Sequence, residues 1–190
     1  DGFDDLIIGA RDADPHGGNS GASYVVFGKA GGFSSNIDLS TLNGSNGFKL
    51  SGAAAGDESG FSVASAGDIN GDGFTDLIIG AAYADPYGHS SSGASYVVFG
   101  KAGGFSSNID LSSLNGSNGF KLNGAVAGDQ SGWSVASAGD VNGDGIDDLI
   151  VGARYADANG TDSGASYVVY GLQPNSAVVR VGTGAPDTFG

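Results

Sequence analysis

This sequence predicts an all-β fold of the β-propeller type, built from repeated four-stranded antiparallel blades, and three observations carry the prediction. The chain holds 37 Gly among 190 residues, and its acids are 20 Asp against a single Glu, Glu58. Asp favours turns and caps whereas Glu is the better helix former, so helices should be few. The segment from Gly21 to Ser40 returns almost unchanged from Gly93 to Ser112, and its first half returns again from Gly164 to Gly171. Each repeat parses into short runs rich in β-branched and aromatic residues, bounded by Gly, Asn and Asp. Four such strands in a repeat of about 40 to 70 residues is the arithmetic of a propeller blade.

The elements follow in order. Residues 1–60 form a blade with three strands, its inner strand falling before Asp1. Residues 61–132 form a complete blade with strands over Phe61–Ala66, Asp76–Gly80, Ala94–Phe99 and Gly119–Leu122. Residues 133–190 form another, with strands over Trp133–Ala138, Asp148–Gly152, Ala165–Tyr170 and Ala177–Val181, and Phe189-Gly190 stands where the next inner strand would start. Tyr24, Tyr96 and Tyr167, with the Val-Val pairs after them, read as blade packing, while Phe61 and Trp133 occupy one repeat position and should pack between blades. Lys29 and Lys101, and Lys49 and Lys121, read as solvated charges on outer strands, where they also discourage edge-to-edge pairing. The chain lacks Met and begins inside a loop, so it reads as a segment of a longer protein. About three blades of a larger or assembled propeller are expected, with further blades from the parent chain or from neighbouring copies.

Between the first two strands of each complete blade lies an oxygen-rich loop, Asp68-Ile-Asn-Gly-Asp-Gly-Phe-Thr-Asp76 and Asp140-Val-Asn-Gly-Asp-Gly-Ile-Asp-Asp148. Carboxylate or amide oxygens stand at positions 1, 3, 5 and 9, and a Gly at position 6 permits the sharp turn around an ion. A hard cation takes six to eight oxygens from carboxylates, amides and backbone carbonyls, which points to Ca2+. One ion is assigned to Asp68, Asn70, Asp72, the carbonyl of Phe74 and Asp76; a second to Asp140, Asn142, Asp144, the carbonyl of Ile146 and Asp148. A truncated third copy keeps Asp1, the carbonyl of Phe3 and Asp5 but lacks positions 1 and 3. Asp, Asn and Gly clusters are also ordinary turn chemistry; two complete copies in step with the strands favour the ion. An EF-hand is excluded because it needs a bidentate Glu at position 12 and flanking helices, and position 12 is Ile79 or Val151 here.

A net charge of −14 argues against nucleic acid and against docking on anionic lipid. There is no Cys to report a redox compartment. No run of 18 apolar residues exists to span a membrane as a helix. Calcium supplies the compartment: such loops fill where calcium is millimolar, so the expected location is extracellular, secreted or at the cell surface.

With these motifs in place, the chain resembles the FG-GAP repeats of integrin α-subunit propellers and of many large bacterial secreted proteins. The resemblance rests on the DxNxDG…DL(I/V)(I/V)GA pattern at Asp68–Ala81 and Asp140–Ala153. It implies that the ion loop joins the first and second strands of a blade and that the GAP element closes the second. The FG position reads Ser59-Gly60 and Ser131-Gly132, with the aromatic kept in Phe189-Gly190, and Arg11, Ala82 and Arg154 stand in place of the GAP proline.

The loops after the second strands differ most between repeats and leave from the face opposite the ion loops. Arg11, His16, Tyr83, Tyr87, Arg154 and Tyr155 make that face a candidate ligand surface, since interfaces are enriched in Tyr and Arg; drift in tolerant loops is the alternative. No catalytic residue is assigned. The two His fall at non-equivalent loop positions, Cys is absent, and neither GxxxxGK(S/T) nor HExxH occurs. The expected function is a calcium-binding structural or adhesive propeller segment with a protein or glycan partner. A carbohydrate-binding or accessory module of a large secreted hydrolase is the alternative.

Overall fold

The computed structural model describes residues 2–172. In chain order the strands are β1 (Leu6–Ala10), β2 (Ala22–Val26), β3 (Gly47–Ser51), β4 (Ser62–Gly67), β5 (Asp76–Ala81), β6 (Ala94–Val98), β7 (Asn108–Asp110), β8 (Gly119–Asn123), β9 (Ser131–Gly139), β10 (Asp148–Ala153) and β11 (Ala165–Val169). They form three sheets, ordered β1-β2-β3-β7, β4-β5-β6-β8 and β9-β10-β11. The fold is all-β, with three sheets of the propeller-blade kind. Asp1, the expected strand at Ala177–Val181 and Phe189-Gly190 lie outside the described residues.

One feature departs from an array of antiparallel blades. The first sheet gains its fourth strand from the second repeat: β7 pairs in parallel with β3, Lys49 opposite Asn108, Leu50 opposite Ile109 and Ser51 opposite Asp110. The Lys49 charge does not keep this edge open. Side chains stand out of the plane of a sheet, so a Lys on an outer strand leaves the main-chain groups at its edge free to pair; here the Lys49 N–H donates to the Ser107 carbonyl at 2.9 Å. Phe105, just before β7, stacks on Phe48 of the first sheet with ring centroids 4.4 Å apart.

The core lies between blades. Val25, Phe48 and Leu50 of the first sheet meet Ile79, Ala81, Tyr96 and Val98 of the second. Ala66, Ile78 and Val97 on the other face of the second sheet meet Leu149 and Val151 of the third. Burial on both faces explains why β5 reads Leu-Ile-Ile without alternation. It also separates three copies of one sequence: Ala-Ser-Tyr-Val-Val is buried throughout in β6, nearly so in β2, and largely exposed in β11.

Two glycines lock the blades together. Gly21 and Gly93 have φ of +80° and +82°, and a Cβ at either would strike the backbone of Ser59 or Ser131. Their carbonyls accept from the N–H of Gly52 and Gly124 at 2.9 and 2.8 Å, fixing the segments that lead from one blade to the next.

Candidate metal centre and the opposite loop face

Each oxygen-rich loop begins at a β-bulge. The register of β4 on β5 shifts between Ser65 and Gly67, and that of β10 on β9 shifts at Asp148. Gly67 and Gly139 there have φ of +71° and +66°, a region open to Gly without strain. The bulge turns the chain out of the sheet so that the next residue, Asp68 or Asp140, points back into the loop.

Inside the loops the carboxylates are held by backbone donors. Asp68 accepts from Asp72 N at 3.1 Å and Gly73 N at 2.8 Å; Asp72 accepts from Phe74 N at 2.9 Å. Asp140 accepts from Gly143 N, Asp144 N and Gly145 N at 2.7, 3.1 and 2.9 Å, and Asp144 accepts from Ile146 N at 2.9 Å. The Gly145 bond, joined by those from Gly143 and Asp144, holds the Asp140 carboxyl below its ordinary pKa against a smaller desolvation effect. Asn70 and Asn142 donate through Nδ2 to Asp72 and Asp144 at 3.0 and 2.8 Å. The position 9 acids anchor the loop ends: Asp76 accepts from Ile69 N at 3.1 Å and Gly100 N at 2.7 Å, and Asp148 from Val141 N and Gly171 N, both at 2.9 Å. In the truncated copy Asp5 holds Gly28 N at 2.8 Å in the same way.

Among the described residues no three His, Cys, Asp or Glu side chains converge as a finished metal cage. The donor set nevertheless fits a hard cation. It is all oxygen, and its buried member is electrostatically short of a positive charge. Asp76 is fully buried, and that burial pushes its carboxyl up to about 6; the bonds from Gly100 and Ile69 lower it, and the charges of Asp72 and Asp68 raise it further. A cation among Asp68, Asp72 and Asp76 would remove that penalty.

The strands and loops so arranged match a model of the FG-GAP repeat at residues 59–98 and 131–169, which take in β4 to β6 and β9 to β11. The chain carries two FG-GAP repeats. It is 30% identical over 204 residues to integrin alpha-PS2 of Drosophila melanogaster, an alignment covering 100% of this chain and 13% of the integrin. It is 31% identical over 172 residues to phosphatidylinositol-glycan-specific phospholipase D of Bos taurus, covering 90% of this chain and 19% of that protein. The chain therefore spans less than a fifth of either relative.

On the opposite face of the FG-GAP blades, four of the six candidate ligand residues join one aromatic row. Phe61 and Trp133 meet across the second and third sheets at 4.4 Å between centroids, flanked by Tyr83 at 6.0 Å from Phe61 and Tyr155 at 6.4 Å from Trp133. The Arg11 guanidinium lies 5.1 Å over Phe61 and 3.5 Å from Glu58. Arg154 stacks on both Trp133 and Tyr155, at 4.2 and 4.6 Å. Beside it lies a shallow cavity of about 430 Å³ lined by Trp133, Arg154, Ser163 and Ser166. The other two candidates sit apart from the row. His16 contacts the Gly52 carbonyl at 2.7 Å and Asp110 at 3.4 Å, tying its loop to the end of β7. Tyr87 is 83% exposed and accepts from Asn123 Nδ2 at 3.2 Å.

These loops share a latch that the sequence reading missed. Asp14, Asp85 and Asp157 accept from the N–H of Asn19, Ser91 and Asp162 at 2.7, 2.6 and 2.8 Å, and all three donors have positive φ between 48° and 54°. The Asp at one repeat position was the available signal. Its partner differs in type each time, so no pattern exposed the pair.

Proposed function

We propose that this chain is a calcium-stiffened propeller segment of an extracellular protein, working as a structural or adhesive module rather than an enzyme. The observation that carries the reading is the buried Asp76 carboxyl facing Asp68 and Asp72 in an all-oxygen loop, repeated in form at Asp140 to Asp148. Calcium held by Asp68, Asn70, Asp72, the Phe74 carbonyl and Asp76, and by the matching second set, would tie an inner strand to its neighbour and stiffen a blade with a small core. The end surfaces support a larger assembly. Ile8 and Ile150, 37% exposed each, are the repeat equivalents of Ile79 and Ile78, which the flanking sheets bury completely. Further blades, from the parent chain or neighbouring copies, would cover them. The test is thermal melting of the chain in excess EGTA and in millimolar calcium. A ligand that binds only the native state adds about 2.7 kcal/mol per site at 100-fold excess over Kd, so calcium should raise the melting temperature, and equal temperatures would overturn the reading.

The similarity to a phospholipase D over 90% of this chain supports a second reading, an accessory or carbohydrate-binding module of a large secreted hydrolase. The Arg11, Tyr83, Arg154 and Tyr155 row is the surface it would use. Binding on a glycan array that is lost in Arg154→Ala and Tyr83→Ala variants would favour it over a purely structural role.

A further inference from the structure

We infer that Asp147 couples the two ion loops, so that calcium at either one raises the affinity of the other; the inference rests on the calcium reading above. Asp147 stands between two assigned ligands of the second loop, the Ile146 carbonyl and Asp148, yet its side chain reaches the first loop. Its carboxylate accepts from the backbone N–H of Asp68 at 2.8 Å, and its own N–H donates to the Asp68 carbonyl at 3.2 Å. Both main-chain groups of the first ligand residue in one loop are thus held by one residue of the other.

The neighbourhood is built around this contact. Gly67 precedes Asp68, and a Cβ there would collide with the Asp147 carboxylate, whereas a Cβ at its counterpart Gly139 would meet none of the described residues. A second thread runs alongside: Asp76 accepts from Ile69 N at 3.1 Å, the Ile69 carbonyl accepts from Leu172 N at 3.0 Å, and Asp148 accepts from Gly171 N at 2.9 Å. The position 9 acids of the two loops are therefore linked through one short stretch of backbone. The residue matching Asp147 in the first loop is Thr75, which carries no carboxylate to reach across a blade boundary.

The physical argument concerns ordering. An ion held by the Ile146 carbonyl and Asp148 would restrain the backbone of Asp147, which lies between them in the chain. Asp147 then fixes Asp68, so the first loop has less freedom left to lose when it closes on its own ion. Coupling between binding sites is reciprocal, so the same factor must appear in the other direction.

The experiment is calorimetric titration of the full chain with calcium chloride at physiological salt, in Asp72→Ala and Asp144→Ala variants that leave one loop each, with and without Asp147→Ala. With Asp147 present, disabling either loop should weaken the other by one common factor of about five or more. With Asp147→Ala both factors should shrink toward one. Circular dichroism in saturating calcium checks folding, and Asp147→Thr, which installs the residue of the first loop, is expected to uncouple the sites in the same way. Independent sites in the unaltered chain, or coupling that survives both substitutions, would overturn the inference while leaving the calcium reading standing. No calcium uptake by the unaltered chain would overturn both.

Discussion

A carboxyl buried beside others of like charge is costly to ionise, and Asp76 is in that position. Its folded pKa of about 6 lies above the ordinary carboxyl value of 3.8, so between those values the metal-free native state binds more protons than the unfolded chain. Stability of the metal-free protein should then fall as pH rises through this window. Asp76→Asn should flatten that slope, by up to about 1.4 kcal/mol per pH unit for one proton, as read from urea midpoints in calcium-free buffer between pH 4 and 7. Asp85 makes a contrasting case. Its carboxylate latches Ser91 and lies outside both proposed calcium loops, so Asp85→Ala should leave calcium uptake unchanged and cost about 1 kcal/mol of stability. At this scale the sequence displayed the oxygen-bearing residues of both loops, because they recur at fixed spacing from one repeat to the next. It concealed Asp147, whose partner Asp68 lies one repeat earlier in the chain.

Short sequences repeated without change show what context does to an element. Residues 28–40 and 100–112 are identical, yet only the second copy contributes a strand, β7, laid against β3. Both copies keep the same local turn: Asp38 accepts from Ser40 N at 2.9 Å, and Asp110 from Ser112 N at 2.8 Å. Phe105 stacks on Phe48 while its twin Phe33 is 45% exposed. Local chemistry therefore shapes the segment, and a neighbouring edge makes it a strand. Phe105→Ala should loosen this clasp, cost about 2 kcal/mol for a partly buried aromatic, and speed hydrogen exchange at the Lys49 amide that donates to Ser107. The matching Phe33→Ala should cost well under 1 kcal/mol, as surface changes do. Equal losses for the two would contradict the clasp.

Among the described residues, both faces of the middle sheet are covered and the outer faces of the flanking sheets are not. Leu6 is 52% exposed in β1 and Val168 is 48% exposed in β11. Apolar sheet faces of this kind seek a partner. The chain should self-associate in calcium as its concentration rises, seen by sedimentation velocity, and Ile8→Lys or Val168→Lys should reduce it. A monodisperse monomer at all concentrations would show that these faces need no cover.

Composition, repetition and motif spacing determined the all-β class, the blade strands and the two oxygen-rich FG-GAP loops, because turn residues, β-branched runs and short polar side chains act through their near neighbours in the chain. Even so, the strand expected from Trp133 begins at Ser131, which pairs with Ala153 of β10 beyond a register shift at Gly152. Only the tertiary structure decided that β7 crosses to another sheet, that Phe61 and Trp133 join the Arg and Tyr loops in one row, and that Asp147 reaches Asp68. Each of these joins residues of different repeats. Such contacts depend on how one blade sits against the next, and that placement is set by summed burial between sheets rather than by any local pattern.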